Sequence, residues 1–127
     1  MDETGMGIKI ITGGVTAARG FKAASTAAGI KYKDRQDMAM IYSQEPCRSA
    51  GTFTTNIVKA APVKWDKNQV TSGAPARVVV INAGIANACT GEEGMGYCGQ
   101  TAEAAALALG ISAESVLVAS TGVIGLQ

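Results

Sequence analysis

At 127 residues the chain is long enough for one compact domain and too short for two, and eleven basic against ten acidic residues leave a net charge of +1 with no long-range pull on nucleic acid or anionic lipid. Histidine is absent, so these residues can build neither a Ser-His or Cys-His nucleophile nor a His-based zinc site. Cys47, Cys89 and Cys98, at spacings that fit no zinc module, read as reduced thiols; with no signal-like start and no bilayer-length apolar run, the chain is expected in the cytoplasm and off the membrane.

Met1 to Gly7 is acidic and glycine-bearing and is expected to be mobile. Ile8 to Ile11 reads as a short strand closed by Gly13-Gly14, and "ARGFKAASTAAGIKYKDRQD" after it reads mainly as loop. Asp37 to Ser43 and Gly51 to Thr55 read as two strands, with Glu45-Pro46-Cys47 as the turn between them. A short helix is expected after Pro62. "RVVVI" (Arg77 to Ile81) is a β-branched run of the kind found in strands covered on both faces. "NAGIANACTGEE" follows as a loop of small and amide residues, and Thr90 and Glu93 have the spacing of a capping box. From there Met95, Cys98, Ala102, Ala105 and Leu109 form one apolar helical stripe, which Gly110 ends. Ser112 to Ser115 is a turn, and Val116 to Ala119 is the next buried strand.

Strand, helix and strand in that order imply a right-handed crossover between two parallel strands. The loop after Ile81 and the Thr121-Gly122 turn after Ala119 would then share the sheet edge where open α/β sheets place ligands. Three features there invite chemistry. The loop Asn82 to Gly91 leads into a helix N-terminus as a phosphate cradle would, but it has neither the G-x-G-x-x-G nor the Walker pattern, and it reads as a tight crossover. Cys89 stands just ahead of the helix with no imidazole partner, so a packed thiol is the favoured reading; Cys98 lies on the apolar stripe and reads as core. The Thr121 hydroxyl and the Gly122 amide could both point at one acceptor, as donors to the oxyanion of an attacked carbonyl do. On spacing alone, a plain turn with Gly supplying a positive φ is the simpler reading.

Four stretches bear on that choice: "GVTAARGFKAA" (Gly14 to Ala24), "AGTFTTNIVKAAPV" (Ala50 to Val63), "ANACTGEEG" (Ala86 to Gly94) and "VLVASTGVIG" (Val116 to Gly125). In order and spacing they resemble the ornithine acetyltransferase family, the glutamate N-acetyltransferases of arginine biosynthesis, from about Gly13 to Gln127. The resemblance implies a mixed α/β fold, part of an α/β/β/α sandwich shared with the L-aminopeptidase/D-esterase enzymes. It also implies a precursor that cuts itself into α and β chains before a threonine, assembled as α2β2. That threonine takes the acetyl group of N-acetylornithine and passes it to glutamate; no cofactor is expected, and acetyl-CoA is a further donor in some members. The family's oxyanion hole, a Thr-Gly pair, carries over to Thr121 and Gly122.

The family's cleavage junction lies well beyond this V-I-G segment. Residues 1–127 are therefore expected to be the N-terminal portion of one catalytic domain, completed by residues outside this chain, with the β chain of the same precursor as partner and no activity alone. Where the family often has N-S-G-N, this sequence has Asn82-Ala83-Gly84-Ile85, which removes two donors from that loop. Asn87 and Thr90 match the motif with no role beyond turn and cap. A terminal threonine can use its own α-amine as base, so the lack of histidine agrees with this chemistry. A terminal-nucleophile aminopeptidase or esterase, and a non-catalytic binding module, are the alternatives.

Overall fold

In the computed structural model, which describes residues 7–127, the elements run β1 (Phe21–Thr26), β2 (Met38–Cys47), α1 (Ala61–Ser72), β3 (Ala76–Ile85), α2 (Gly91–Leu109) and β4 (Val116–Val123). The mobility expected of the first seven residues falls almost wholly outside the described residues. The strands form one sheet in the order β1-β2-β3-β4, antiparallel except for the parallel β3–β4 pair. Strand, helix and parallel strand therefore follow as the residue pattern implied.

The sheet alternates. Val78 and Val80 of β3 and Val116 of β4 turn to the helices and pack with Ala102, Ala105 and Ala106 of α2, while Trp65 of α1 closes the side. Small residues on α2 let the helix lie close to the β-branched strand residues, and its stripe is the expected one: Cys98, Ala102 and Ala105 are buried. Alternation turns Ala39, Ile41, Val79, Ile81 and Leu117 to the opposite face, on which no helix packs among the described residues. Val79 and Ile81 are thus half-buried, not covered on both sides. Two helices against one face of a mixed sheet are one α and one β layer of the expected sandwich.

Both helices end as their sequences imply. Pro62 sits in the first turn of α1, where a missing N–H costs no helical bond, and Gly73 and Gly110 close the two helices in the left-handed region at φ 76° and 65°. The capping box does not form: Thr90 makes no cap bond, its hydroxyl donates to Asn87 Oδ1 at 2.7 Å, and Glu93 accepts from Tyr97 at 3.0 Å. The hydroxyl is turned to the buried Asn87 amide and makes no bond to the helix amides.

Several strand expectations fail. Ile8 to Ile11 forms no strand and stays exposed, at 57%, 82% and 63% for its three isoleucines. β1 lies inside the presumed loop; every residue of it is exposed, so it has no buried–exposed period to read, and pairing with β2 is what makes it a strand. Gly51 to Thr55 is irregular, because Thr54 and Asn56 side chains accept the backbone amides of Asn56 and Val58. The Glu45-Pro46-Cys47 turn is absent: β2 runs to Cys47 through an irregularity after Tyr42, where a proline can sit. Arg77 takes up the carbonyls freed there, donating to Ser43 at 3.0 Å and Gln44 at 2.6 Å. Among the described residues no helix is long and apolar enough to cross a membrane.

Candidate functional site

β3 and β4 both run past the points where the sequence suggested they would stop. Asn82 to Ile85 belongs to β3, and Ser120 to Val123 to β4; Ala83 pairs with Thr121, and Gly84 with Gly122. The Thr121-Gly122 element is therefore strand and not turn, although it does lie beside the segment after Ile81 as expected. Thr121 and Gly122 are both exposed.

β4 is the last strand of the sheet, and α1 covers part of its open edge. Trp65 Nε1 donates to the Val116 carbonyl at 3.0 Å, and Asp66 Oδ1 accepts from the Val118 N–H at 2.9 Å. These bonds put the peptide groups of Val116 and Val118 on the edge away from β3. Strand alternation continues that series to Ser120 and Gly122. That alternation would turn the Gly122 N–H to the part of the edge that α1 leaves open among the described residues, and the Val123 carbonyl turns inward to accept from Ala86 at 2.9 Å.

Gly122 has φ 134°, which L side chains rarely adopt, and a Cβ there would overlap the Gly84 carbonyl and the Ile85 amide nitrogen. Only glycine allows the two strands to approach so closely. Gly84 has φ 118°, and a Cβ there would stand 3.1 Å from Lys31 Cβ, so the loop after β1 crosses this spot as well.

Asp37 anchors that loop. The residue is 5% exposed, and its carboxylate accepts the N–H groups of Ala28 and Ile30, each at 2.7 Å. Burial pushes the carboxyl up, but the backbone donors of Ile30, Ala28, Asp37 itself and Gly29 together hold it below the usual aspartate range. A folded-state pKa below the unfolded one stabilises the fold above the unfolded value, about 3.9, and that stabilisation is lost as pH falls through the folded value. Asp37→Asn is thus expected to lower the urea midpoint at pH 7, with the deficit shrinking below about pH 4; a deficit independent of pH would show that the carboxylate charge contributes nothing.

Two cavities flank the strand ends. One, of about 260 Å³, lies between the sheet and α2, reaches Asn82, Asn87, Ser120 and Thr101, and has no charged side chain in its lining. The other, of about 160 Å³, is lined by Lys59, Lys64, Cys89 and Gly91 among others. Cys89 is exposed with φ 58°, so the packed thiol expected there is not found. Cys98 is core, 1% exposed, and burial, with the Asp66 charge nearby, raises its thiol to about 11 against a hydrogen bond from Asn87. At neutral pH it stays a thiol and is no nucleophile. Among the described residues no group of three His, Cys, Asp or Glu side chains could hold a metal ion.

Sequence reasoning passed over two contributors to this edge, Trp65 and Asp66, which reach it from some fifty residues away, and gave Asn87, a buried amide at φ 50°, no role beyond turn and cap. An asparagine in a run of small residues was the one available signal.

A model of the ArgJ family matches residues 22–127. The arginine biosynthesis bifunctional protein ArgJ of Gloeobacter violaceus is 51% identical over 115 residues, which are 91% of this chain and 28% of that protein. The chain thus spans about a quarter of the length of the curated relatives it matches. Among solved structures, the ornithine acetyltransferase of Mycobacterium tuberculosis complexed with ornithine superposes with a TM-score of 0.85 at 47% identity, over 90% of this chain and 62% of that one. The ArgJ protein of Bacillus halodurans gives 0.84 at 37% identity, over 90% of this chain and 59% of that one.

Proposed function

The chain belongs to the ArgJ family, and from that we propose that it supplies the oxyanion-stabilising pair, Thr121 and Gly122, to an enzyme that moves an acetyl group from N-acetylornithine to glutamate. The reading rests on one observation above others. By the alternation that Val116 and Val118 set, the Gly122 N–H faces the edge of β4 that α1 leaves open, and the close approach to Gly84 leaves that backbone little freedom. A donor held in place before the reaction costs no reorganisation when charge develops.

In this mechanism a threonine hydroxyl outside these residues attacks the acetyl carbonyl and gives its proton to the threonine α-amine. The carbonyl oxygen becomes an oxyanion and accepts from the Thr121 hydroxyl and the Gly122 N–H. Collapse breaks the C–N bond, ornithine leaves with the proton on its amine, and acetyl remains as an ester on threonine. The glutamate amine then attacks that ester through a second oxyanion in the same place; collapse breaks the ester C–O bond, the proton lost by the amine passes through the threonine α-amine to the threonine oxygen, and N-acetylglutamate leaves. A β chain from the same precursor, an α2β2 assembly, a cytoplasmic location, freedom from any cofactor and use of acetyl-CoA as a further donor belong to the same proposal.

The full-length protein, given N-acetylornithine labelled in its acetyl group together with glutamate, is expected to form labelled N-acetylglutamate and one ornithine per acetyl moved. Residues 1–127 alone are expected to form none. Turnover by that chain alone would sink the shared site, and release of label as acetate with none on glutamate would make the enzyme a hydrolase.

A further inference from the structure

We infer that Asn87 is a positioning residue that fixes the Gly122 N–H by clamping the segment behind it; the inference rests on Thr121 and Gly122 being the oxyanion pair. Asn87 joins three parts of the chain. Its Nδ2 donates to the Gly94 carbonyl in α2 at 2.9 Å and to Cys98 Sγ at 3.4 Å. Its Oδ1 accepts from Thr90 Oγ1 at 2.7 Å and from Gln127 Nε2 at 3.4 Å. Its backbone carbonyl accepts from Ala61 N at 3.1 Å, at the start of α1. With 8% of its surface exposed and φ 50°, the residue is held in a conformation that asparagine tolerates better than most.

The residues on either side of it hold the chain that follows Gly122. Ala86 N donates to the Val123 carbonyl at 2.9 Å, and the Ala88 carbonyl accepts from Gly125 N at 2.8 Å. The loop fixed by Asn87 thus grips the chain one residue and three residues beyond Gly122, at the last residue of β4 and just past it. Helix α2 is shaped to receive the amide: a Cβ on Gly94 would overlap both Thr90 Oγ1 and Asn87 Oδ1. Without the Asn87 side chain the loop loses its tie to α2, and the grip behind Gly122 slackens. An oxyanion donor acts over a narrow range of distance, and misplacement by about 1 Å can cost 10²-fold in rate.

The test uses the full-length protein and Asn87→Gly, which removes the side chain and accepts the positive φ. Its kcat for acetyl transfer is expected to fall about 10- to 100-fold, with KM for N-acetylornithine within about twofold and the circular dichroism of the parent. Because the two residues act on one oxyanion, Thr121→Ala is expected to cost less in this background than in the parent. A parent-like kcat in the folded variant, a change confined to KM, or full additivity with Thr121→Ala would each overturn the inference. Should Asn87→Gly fail to fold, Thr90→Val is read by the same criteria: it removes only the hydroxyl donated to Asn87, and a few-fold loss in kcat at unchanged KM is expected. A parent-like Thr121→Ala would overturn the oxyanion reading and this inference with it. A slow Thr121→Ala beside a parent-like Asn87→Gly overturns this inference alone.

Discussion

In the full-length protein, Thr121→Ala is expected to lower kcat for acetyl transfer by about 10²- to 10³-fold, or roughly 3–4 kcal/mol, the usual loss for one oxyanion donor. The effect should fall on the chemical step, because the ground-state carbonyl carries less charge than the oxyanion that replaces it. Thr121 is exposed and its backbone lies in the β3–β4 ladder, so losing the hydroxyl leaves the pairing with Ala83 intact. Thr121→Ser keeps the hydroxyl and should keep much of the rate; Thr121→Val keeps the shape and should be as slow as the alanine variant. Steady-state acetyl transfer on the three variants, with circular dichroism to confirm the fold, separates hydrogen bonding from packing. If Thr121→Ala turns over at the parent rate while folded and processed, the hydroxyl has no part in catalysis.

Gly122→Ala is expected to be more damaging still, because it strikes both the fold and the site. The added Cβ would enter space held by the Gly84 carbonyl and the Ile85 amide, and these backbone atoms belong to the neighbouring strand and cannot swing aside as a side chain can. A strained backbone costs about 1–3 kcal/mol, and overpacking typically costs another 1–3 kcal/mol. Against a total stability of about 5–15 kcal/mol that is a large share. To relieve it, β4 must move off β3 or the Gly122 peptide must rotate, and either takes the N–H off its mark. Acetyl transfer should therefore fall below that of Thr121→Ala, and the urea midpoint should drop with it. A variant with the parent's midpoint would contradict the close approach of the two strands at Gly84.

Much of the second half of the chain is legible as sequence. The stripe from Met95 to Leu109 and the glycine after it mark α2, and the β-branched runs on either side mark parallel strands whose ends meet. Helical periodicity is local: residues three and four apart share a face, so a short window carries the signal. The motifs around Gly14, Ala50, Ala86 and Val116 likewise place the chain in its family. Sequence alone thus determined the helix, the adjacency of Thr121 to the segment after Ile81, and the family.

The tertiary structure decided the rest. β1 has no buried face, and its strand character comes from bonds to β2 across a separation that no local pattern records. Thr121-Gly122 looks like a turn because Gly readily supplies a positive φ, yet pairing of Ser120 to Val123 with Asn82 to Ile85 draws it into the sheet. The capping box at Thr90 gives way to Asn87, a partner made available only when the loop folds back on α2. Which edge of β4 faces α1 is set by Trp65 and Asp66, residues that neither neighbour Val116 and Val118 in sequence nor share their element. Hydrogen bonds between distant segments are satisfied only after the chain closes on itself, and such bonds place the strand ends that carry Thr121 and Gly122.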